Sequence, residues 1–289
     1  MTALMTSAPI ASARAELLRL RRWPALWVMV GVWLLLNITF VFVFPYLSYR
    51  NGTGGFATAG VSRQQLLANV MPAHVPIAVV QGMPMFGGAI MLTLGGLAAG
   101  SGYGWGTWKT AFTQGLGRLA VIGGTLAALA GVVVTVVVAT FAVDLGIASI
   151  LATVEGQSIV APAAGEVARA LASGVLILGM WALAGVAVGT LARSPALAVG
   201  LGAVWVLAVE NLLRGAATLL DWLQPVTDVL PGTVVGSVAA ALGATPVSEG
   251  GTPGVVANLD GGSSVALALA YLVAFAVVTA VLVRRRDVN

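Results

Sequence analysis

Residues 119–143 read LAVIGGTLAALAGVVVTVVVATFAV, an unbroken apolar stretch without a charged side chain. A hydrocarbon layer about 30 Å thick is crossed by about 20 apolar residues of helix, so a stretch of this length and composition reads as a membrane span. Five more stretches of the same kind lie at 23–47, 77–100, 171–191, 195–213 and 265–283. Composition agrees: 59% of the 289 residues are hydrophobic and 8% are charged, where a soluble domain carries roughly 25% charged residues. The mean hydropathy is +0.99. The expected fold is all-α, a polytopic membrane protein with about six transmembrane helices forming one transmembrane domain over 1–289.

The polar, arginine-bearing residues 1–22 precede the first span, whose apolar length exceeds the roughly 7–15 residues of a signal-peptide core. Its exit, Phe44-Pro45-Tyr46, lacks small residues, so the span is expected to be retained. Only residues 192–194 separate the fourth and fifth spans, and Pro195 suits a helix start. Those two spans are expected to form a tight hairpin. Connections 48–76, with Asn51-Gly52 and Gly54-Gly55 as turn signals, and 144–170 read as loose loops. The segment 214–264 reads as two short interfacial or re-entrant helices followed by a Gly/Ser-rich linker.

Basic residues orient the chain. Arg14, Arg19, Arg21, Arg22, Lys109, Arg118, Arg193, Arg284, Arg285 and Arg286 fall on one side of this layout, against Arg50, Arg63, Arg169 and Arg214 on the other. Basic residues gather in cytoplasmic loops, which places both ends in the cytoplasm of a prokaryotic inner or plasma membrane. The same clustering beside apolar runs, with no basic stripe, argues against a nucleic-acid partner despite a pI near 10.1. Cysteine is absent, and His74 is the single histidine. Disulfides, thiolate catalysis and a multi-ligand transition-metal site are therefore excluded from this reading, and no metal ligand is assigned.

Two segments on the cytoplasmic side stand out. On a 3.6-residue helix, Trp105, Trp108, Phe112, Leu116 and Leu119 of the connection 101–117 fall within about 80° of one another, an amphipathic helix with an aromatic stripe. Before the first span, residues 13–22 mix Leu17, Leu18 and Leu20 with four arginines. Anchoring at the interface and docking of a partner are both open to such segments.

The run Glu16-Leu17-Leu18-Arg19-Leu20-Arg21-Arg22 leading into Pro24-Ala25-Leu26-Trp27, and the loop Tyr103-Gly104-Trp105-Gly106-Thr107-Trp108-Lys109-Thr110 followed by Gly117-Arg118-Leu119, resemble the membrane subunit of type-2 ABC exporters. That resemblance implies an elbow helix over 1–22 at the membrane interface, with Arg14, Arg19, Arg21, Arg22 and Trp23. It also implies a coupling helix over 101–117 resting on an ATP-hydrolysing partner through Tyr103, Trp105, Thr107, Trp108, Lys109, Phe112 and Arg118. Related loops often carry an acidic residue where this chain has Gly102, and a lysine where it has Thr125. The first departure takes away a salt bridge normally made with the ATPase.

A P-loop needs a glycine-rich turn followed by Lys and Ser or Thr, and the only lysine, Lys109, follows Trp108. The chain is therefore expected to be no enzyme by itself, with ATP and Mg bound by a separate subunit. Six spans are half of a complete ABC membrane unit, which implies pairing with a second copy or a similar permease. Gly96-xxx-Gly100 and Gly185-xxx-Gly189 allow close helix approach, within the chain or between chains. Asn37, Gln81, Thr93 and Glu210 are the candidate pathway residues, because a polar side chain at membrane depth faces protein or a cavity. Glu210, near the outer end of the fifth span, and Asp144, at the end of the third, read first as solvated helix ends and second as acids that help a cationic substrate leave; central acids are missing, and the lining is otherwise apolar, suited to an amphiphilic or hydrophobic cargo. A secondary transporter, which would place ionisable groups near the midplane, and a non-transporting membrane assembly protein are the alternatives.

Overall fold

The computed structural model describes residues 2–52, 61–106, 108, 117–249 and 251–285, with side chains from residue 11 onward. The described residues form helices joined by turns, with no strand among them. Helix α1 (Thr2–Arg21) leads into six helices long and apolar enough to cross a membrane: α2 (Pro24–Asn51), α3 (Met83–Gly104), α4 (Arg118–Val154), α5 (Ala164–Ala192), α6 (Pro195–Ala217) and, after the buried helix α7 (Pro231–Ala241), α8 (Gly261–Arg285). The chain is a multi-pass, all-helical membrane protein.

The helices overrun the expected boundaries. Helix α4 has 37 residues, about 55 Å at 1.5 Å per residue, so it continues well past a roughly 30 Å hydrocarbon layer. The loose loop expected over 144–170 shrinks to 155–163. The reason lies in the residues themselves: Leu145, Ile147, Ala148, Ile150, Leu151 and Ala152 keep the helical spacing beyond Asp144, and Ala148 and Ala152 are fully buried. A charge at Asp144 marks a contact on the helix, not its end.

The α5–α6 hairpin closes as expected. Arg193 takes the left-handed conformation at φ 51°, and its N–H returns to the Gly189 carbonyl. Ser194 then caps α6 by accepting the Leu197 N–H, with Pro195 in the first turn.

The centre of the bundle is the pair α3 and α5. A Cβ on Gly189 would lie 2.6 Å from the Gly96 carbonyl oxygen, one on Gly185 would lie 2.8 Å from the Gly96 nitrogen, and one on Gly100 would lie 2.9 Å from the Pro195 Cα. The two small-residue motifs therefore pack on each other inside one chain.

Three helices carry wide turns: Ile38–Val43 in α2, Met83–Gly87 in α3 and Trp205–Val209 in α6 are π-helical. Pro84 has no N–H to give to the ladder. The Pro84 carbonyl accepts the indole N–H of Trp181 at 2.9 Å, and Gly88 leaves room for that ring. The first two wide turns touch, Phe40 stacking on Phe86 at 5.7 Å.

Candidate functional site

At the end of the bundle where α3 stops and α4 begins, the expected aromatic stripe is broken. Helix α3 ends at Gly104, and Gly106 adopts φ 67°, a left-handed conformation that glycine enters without a Cβ clash. Trp105 and Trp108 consequently part: Trp105 is 69% exposed, and Trp108 is 5% exposed. The Trp108 indole N–H donates to the Ala99 carbonyl at 3.0 Å, and its ring occupies the space over Gly102, where a Cβ would collide with it. Any side chain at 102 would displace this tryptophan. Thr107, Lys109 and Phe112 lie outside the described residues.

The other named residues of this region are built into the bundle. Trp108 packs with Val121, Ile122 and Val283, joining α4 and α8 beneath the loop. Arg118 donates to the Val283 carbonyl at 3.5 Å. Tyr103 packs beside Trp108, with ring centroids 6.2 Å apart, and Arg193 of the α5–α6 turn lies 6.0 Å from the Tyr103 ring centre. Among the described aromatic residues here, Trp105 is the exposed one, and Arg193 is exposed beside Tyr103.

Helix α1 is held on the same end. Leu20 is fully buried, Gly124 of α4 lies directly under Ser12, and Arg19 pairs with Glu16 while donating to the Ala98 carbonyl of α3 at 3.2 Å. Glu16 hydrogen-bonds to Thr125 of α4. Burial pushes the Glu16 carboxyl above its usual range, with the Arg19 charge opposing that shift. Arg14, Arg21 and Arg22 are exposed, and Trp23 is half-buried. Arg19, Arg22, Trp23, Ser101 and Trp105 together line a cleft of about 140 Å³ between α1 and the end of α3.

The candidate pathway residues are not assembled into one lining. Asn37, 2% exposed, points from the middle of α2 into α4, where its Nδ2 donates to Asp144 Oδ1 at 2.6 Å. Asp144 is 0% exposed. One turn away, Trp33 Nε1 donates to Thr140 Oγ1 at 2.9 Å. Farther along the same helices, Tyr46 and Tyr49 donate to Glu155 at 2.7 and 3.0 Å, with Arg50 at 3.3 Å. The nearly constant offset of partners, 105 to 109 residues, shows that α2 and α4 run parallel, tied by a ladder of polar contacts. Those tyrosine hydroxyls, followed by Arg50, hold the Glu155 carboxylate below its ordinary range. Gln81 instead lines a small cleft with Phe40, Asn69, Thr245 and Thr252, and Thr93 is half-buried on α3.

Glu210, 1% exposed, is not a solvated helix end either. The π-turn bonds the Glu210 N–H to the Trp205 carbonyl, five residues back, and so stacks these residues on one face. The Trp205 indole then donates to Glu210 Oε1 at 2.7 Å. The Gly232 N–H, in the first turn of α7, also reaches this carboxylate, where the partial positive charge of a helix start favours an anion. Residues 231–239 of α7 are all buried.

Asp144 and Glu210 are thus two buried acids, the first just beyond the expected end of its span and the second inside the outer end of the fifth, where solvated helix ends were expected. For Asp144 a signal was present in the sequence: Trp33 and Asn37, and Thr140 and Asp144, are spaced i, i+4 and share a helix face. Among the described residues no group of three or more His, Cys, Asp or Glu side chains is placed to hold a metal ion. No protein-family model matches the chain, and no curated protein matches it.

Proposed function

We propose that this chain is the permease subunit of an ATP-driven transporter of the type-2 ABC kind, moving an amphiphilic or hydrophobic substrate outward across a prokaryotic plasma membrane. In this reading a separate subunit binds ATP and Mg and docks on the 101–117 connection, both ends of the chain are cytoplasmic, and a second copy or a similar permease completes the unit. The observation that carries it is the junction between α3 and α4. An outward-facing Trp105 lies at a junction where Trp108 packs on α3, α4 and α8 and Arg118 ties the start of α4 to α8. A push at such a junction would reach several helices at once, which is what mechanical coupling to a nucleotide-driven partner requires. The adjoining cleft lined by Arg19, Arg22 and Trp105 offers cations to an acidic partner segment, in place of the carboxylate that this loop lacks.

Co-purification tests the proposal. An ATPase subunit accompanies the detergent-solubilised protein, and vanadate-sensitive hydrolysis rises when both are present. Trp105→Ala lowers that coupled hydrolysis about tenfold or more, the scale of an interface tryptophan, without loss of the folded permease. Undiminished coupling in that variant removes the docking role.

A secondary transporter is supported by a different observation, the two acids buried at Asp144 and Glu210, since ionisable groups inside spans mark ion pathways in such proteins. Uptake into proteoliposomes driven by an ion gradient, with no ATPase present and lost in Asp144→Asn, would favour it.

A further inference from the structure

Between α1, α2 and α4 lies an open groove of about 440 Å³. Leu34, Val30 and Leu26 of α2 and Val136 of α4 line its length, and Leu17 and Arg21 of α1 form one end. From Leu26 to Leu34 is eight residues, about 12 Å of helix at 1.5 Å per residue. The groove's polar lining inside that length, the Thr135 hydroxyl, is turned to its own helix, donating to the Gly131 carbonyl at 2.8 Å. Its wall therefore presents carbon to an occupant.

The Arg21 end is different in kind. Arg21 is exposed, and its backbone carbonyl accepts the indole N–H of Trp27 at 2.8 Å, which fixes the turn from α1 into α2 and seats an exposed tryptophan at the rim. Arg22, the next residue, is exposed, and so is Arg14 two turns back on α1. Glu16, the acid of this region, is already paired with Arg19. The mouth is thus cationic and aromatic, while the trough is apolar, an arrangement that matches a molecule with one anionic end and a long hydrocarbon chain.

We infer that this groove is a binding site for one anionic phospholipid, its headgroup phosphate on Arg21 and one acyl chain laid along α2 and α4. The site is independent of the transporter reading, since it requires only that the protein sit in a bilayer. A bound acyl chain here bridges α1 to the α2–α4 pair, so the lipid also sets how firmly α1 is held.

The test uses the full chain in nanodiscs made of equal parts phosphatidylglycerol and phosphatidylcholine, released into the gas phase for native mass spectrometry. One phosphatidylglycerol per chain is retained in preference to phosphatidylcholine. Arg21→Gln lowers that preference about fivefold, the factor that one basic residue supplies at an anionic surface. Leu34→Trp, which fills the trough, removes retention of either lipid. Arg284→Gln, an equal loss of charge at the same end of the bundle and outside the groove, leaves the preference intact. Retention without headgroup preference, an equal effect of Arg284→Gln, or unaltered retention in Leu34→Trp each overturns the proposal. Because Arg21 is exposed, its variant folds even if Leu34→Trp does not, and the headgroup arm then decides the matter.

Discussion

Helices α3 and α5 meet through backbone, whereas α2 and α4 meet through hydrogen bonds between side chains. In lipid there is little hydrophobic drive for two apolar helices to associate, so contact has to come from close dispersion packing or from polar groups that find each other. The first pair takes the first route: Gly96 and Gly100 face Gly185 and Gly189 at backbone distance. The second takes the other, with Trp33–Thr140, Asn37–Asp144 and the Tyr46, Tyr49 and Arg50 clasp on Glu155 spaced along the helices. The difference teaches where each interface is vulnerable. A glycine seam fails when atoms are added, and a polar ladder fails when one partner is removed.

Gly185→Ala is expected to have the largest effect, because its Cβ would strike the Leu92 carbonyl and the Gly96 nitrogen, neither of which can swing aside. We expect a loss of about 3 kcal/mol, the upper part of the overpacking range, read as a fall in thermal midpoint and in monodisperse yield on size exclusion. A variant as stable as the parent would show that α3 and α5 can separate freely.

Asp144→Ala comes next. It leaves the Asn37 amide buried without its acceptor, at a cost of about 1–3 kcal/mol. In the double variant with Asn37→Ala, the loss should fall short of the sum of the single losses, since both substitutions delete the same contact. Strict additivity, measured by denaturation in detergent, would mean that the 2.6 Å contact contributes nothing.

The smallest effect belongs to Glu155, at the exposed end of the ladder. Its carboxyl is held below the ordinary value by Tyr46 and Tyr49, and then by Arg50. A depressed folded-state pKa means that stability from this clasp is present above the unfolded value, about 4.3 for Glu, and is lost as pH falls through the folded value. The parent should therefore lose its thermal advantage over Glu155→Gln as the pH drops below about 4. A constant difference across that window would place the clasp outside the folding equilibrium.

The junction at Gly102 to Trp108 shows how legible the site was. Aromatic spacing identified Trp105 and Trp108 as residues of consequence, yet helical projection put them on one stripe. Gly106 in a left-handed turn sends Trp105 outward, and the vacancy over Gly102 admits Trp108 inward. A periodic pattern assumes an unbroken helix, and no periodicity indicates which of two tryptophans finds a cavity. Asp144 shows the converse failure. Cutting a span at a charge is sound for lipid-facing positions, but this charge faces the Asn37 donor on a neighbouring helix.

Composition and apolar length by themselves determined that this chain is helical, that six of its described helices are long and apolar enough to cross a membrane, and that it turns sharply at residues 192–195, because burial in lipid demands internally bonded backbone over a fixed thickness. Only the tertiary structure decided that the glycine motifs face each other within one chain, that α2 and α4 run parallel in a polar register, and that two acids lie inside the bundle. Those are properties of pairs of helices, and a single helix's sequence carries its faces without stating what each face meets.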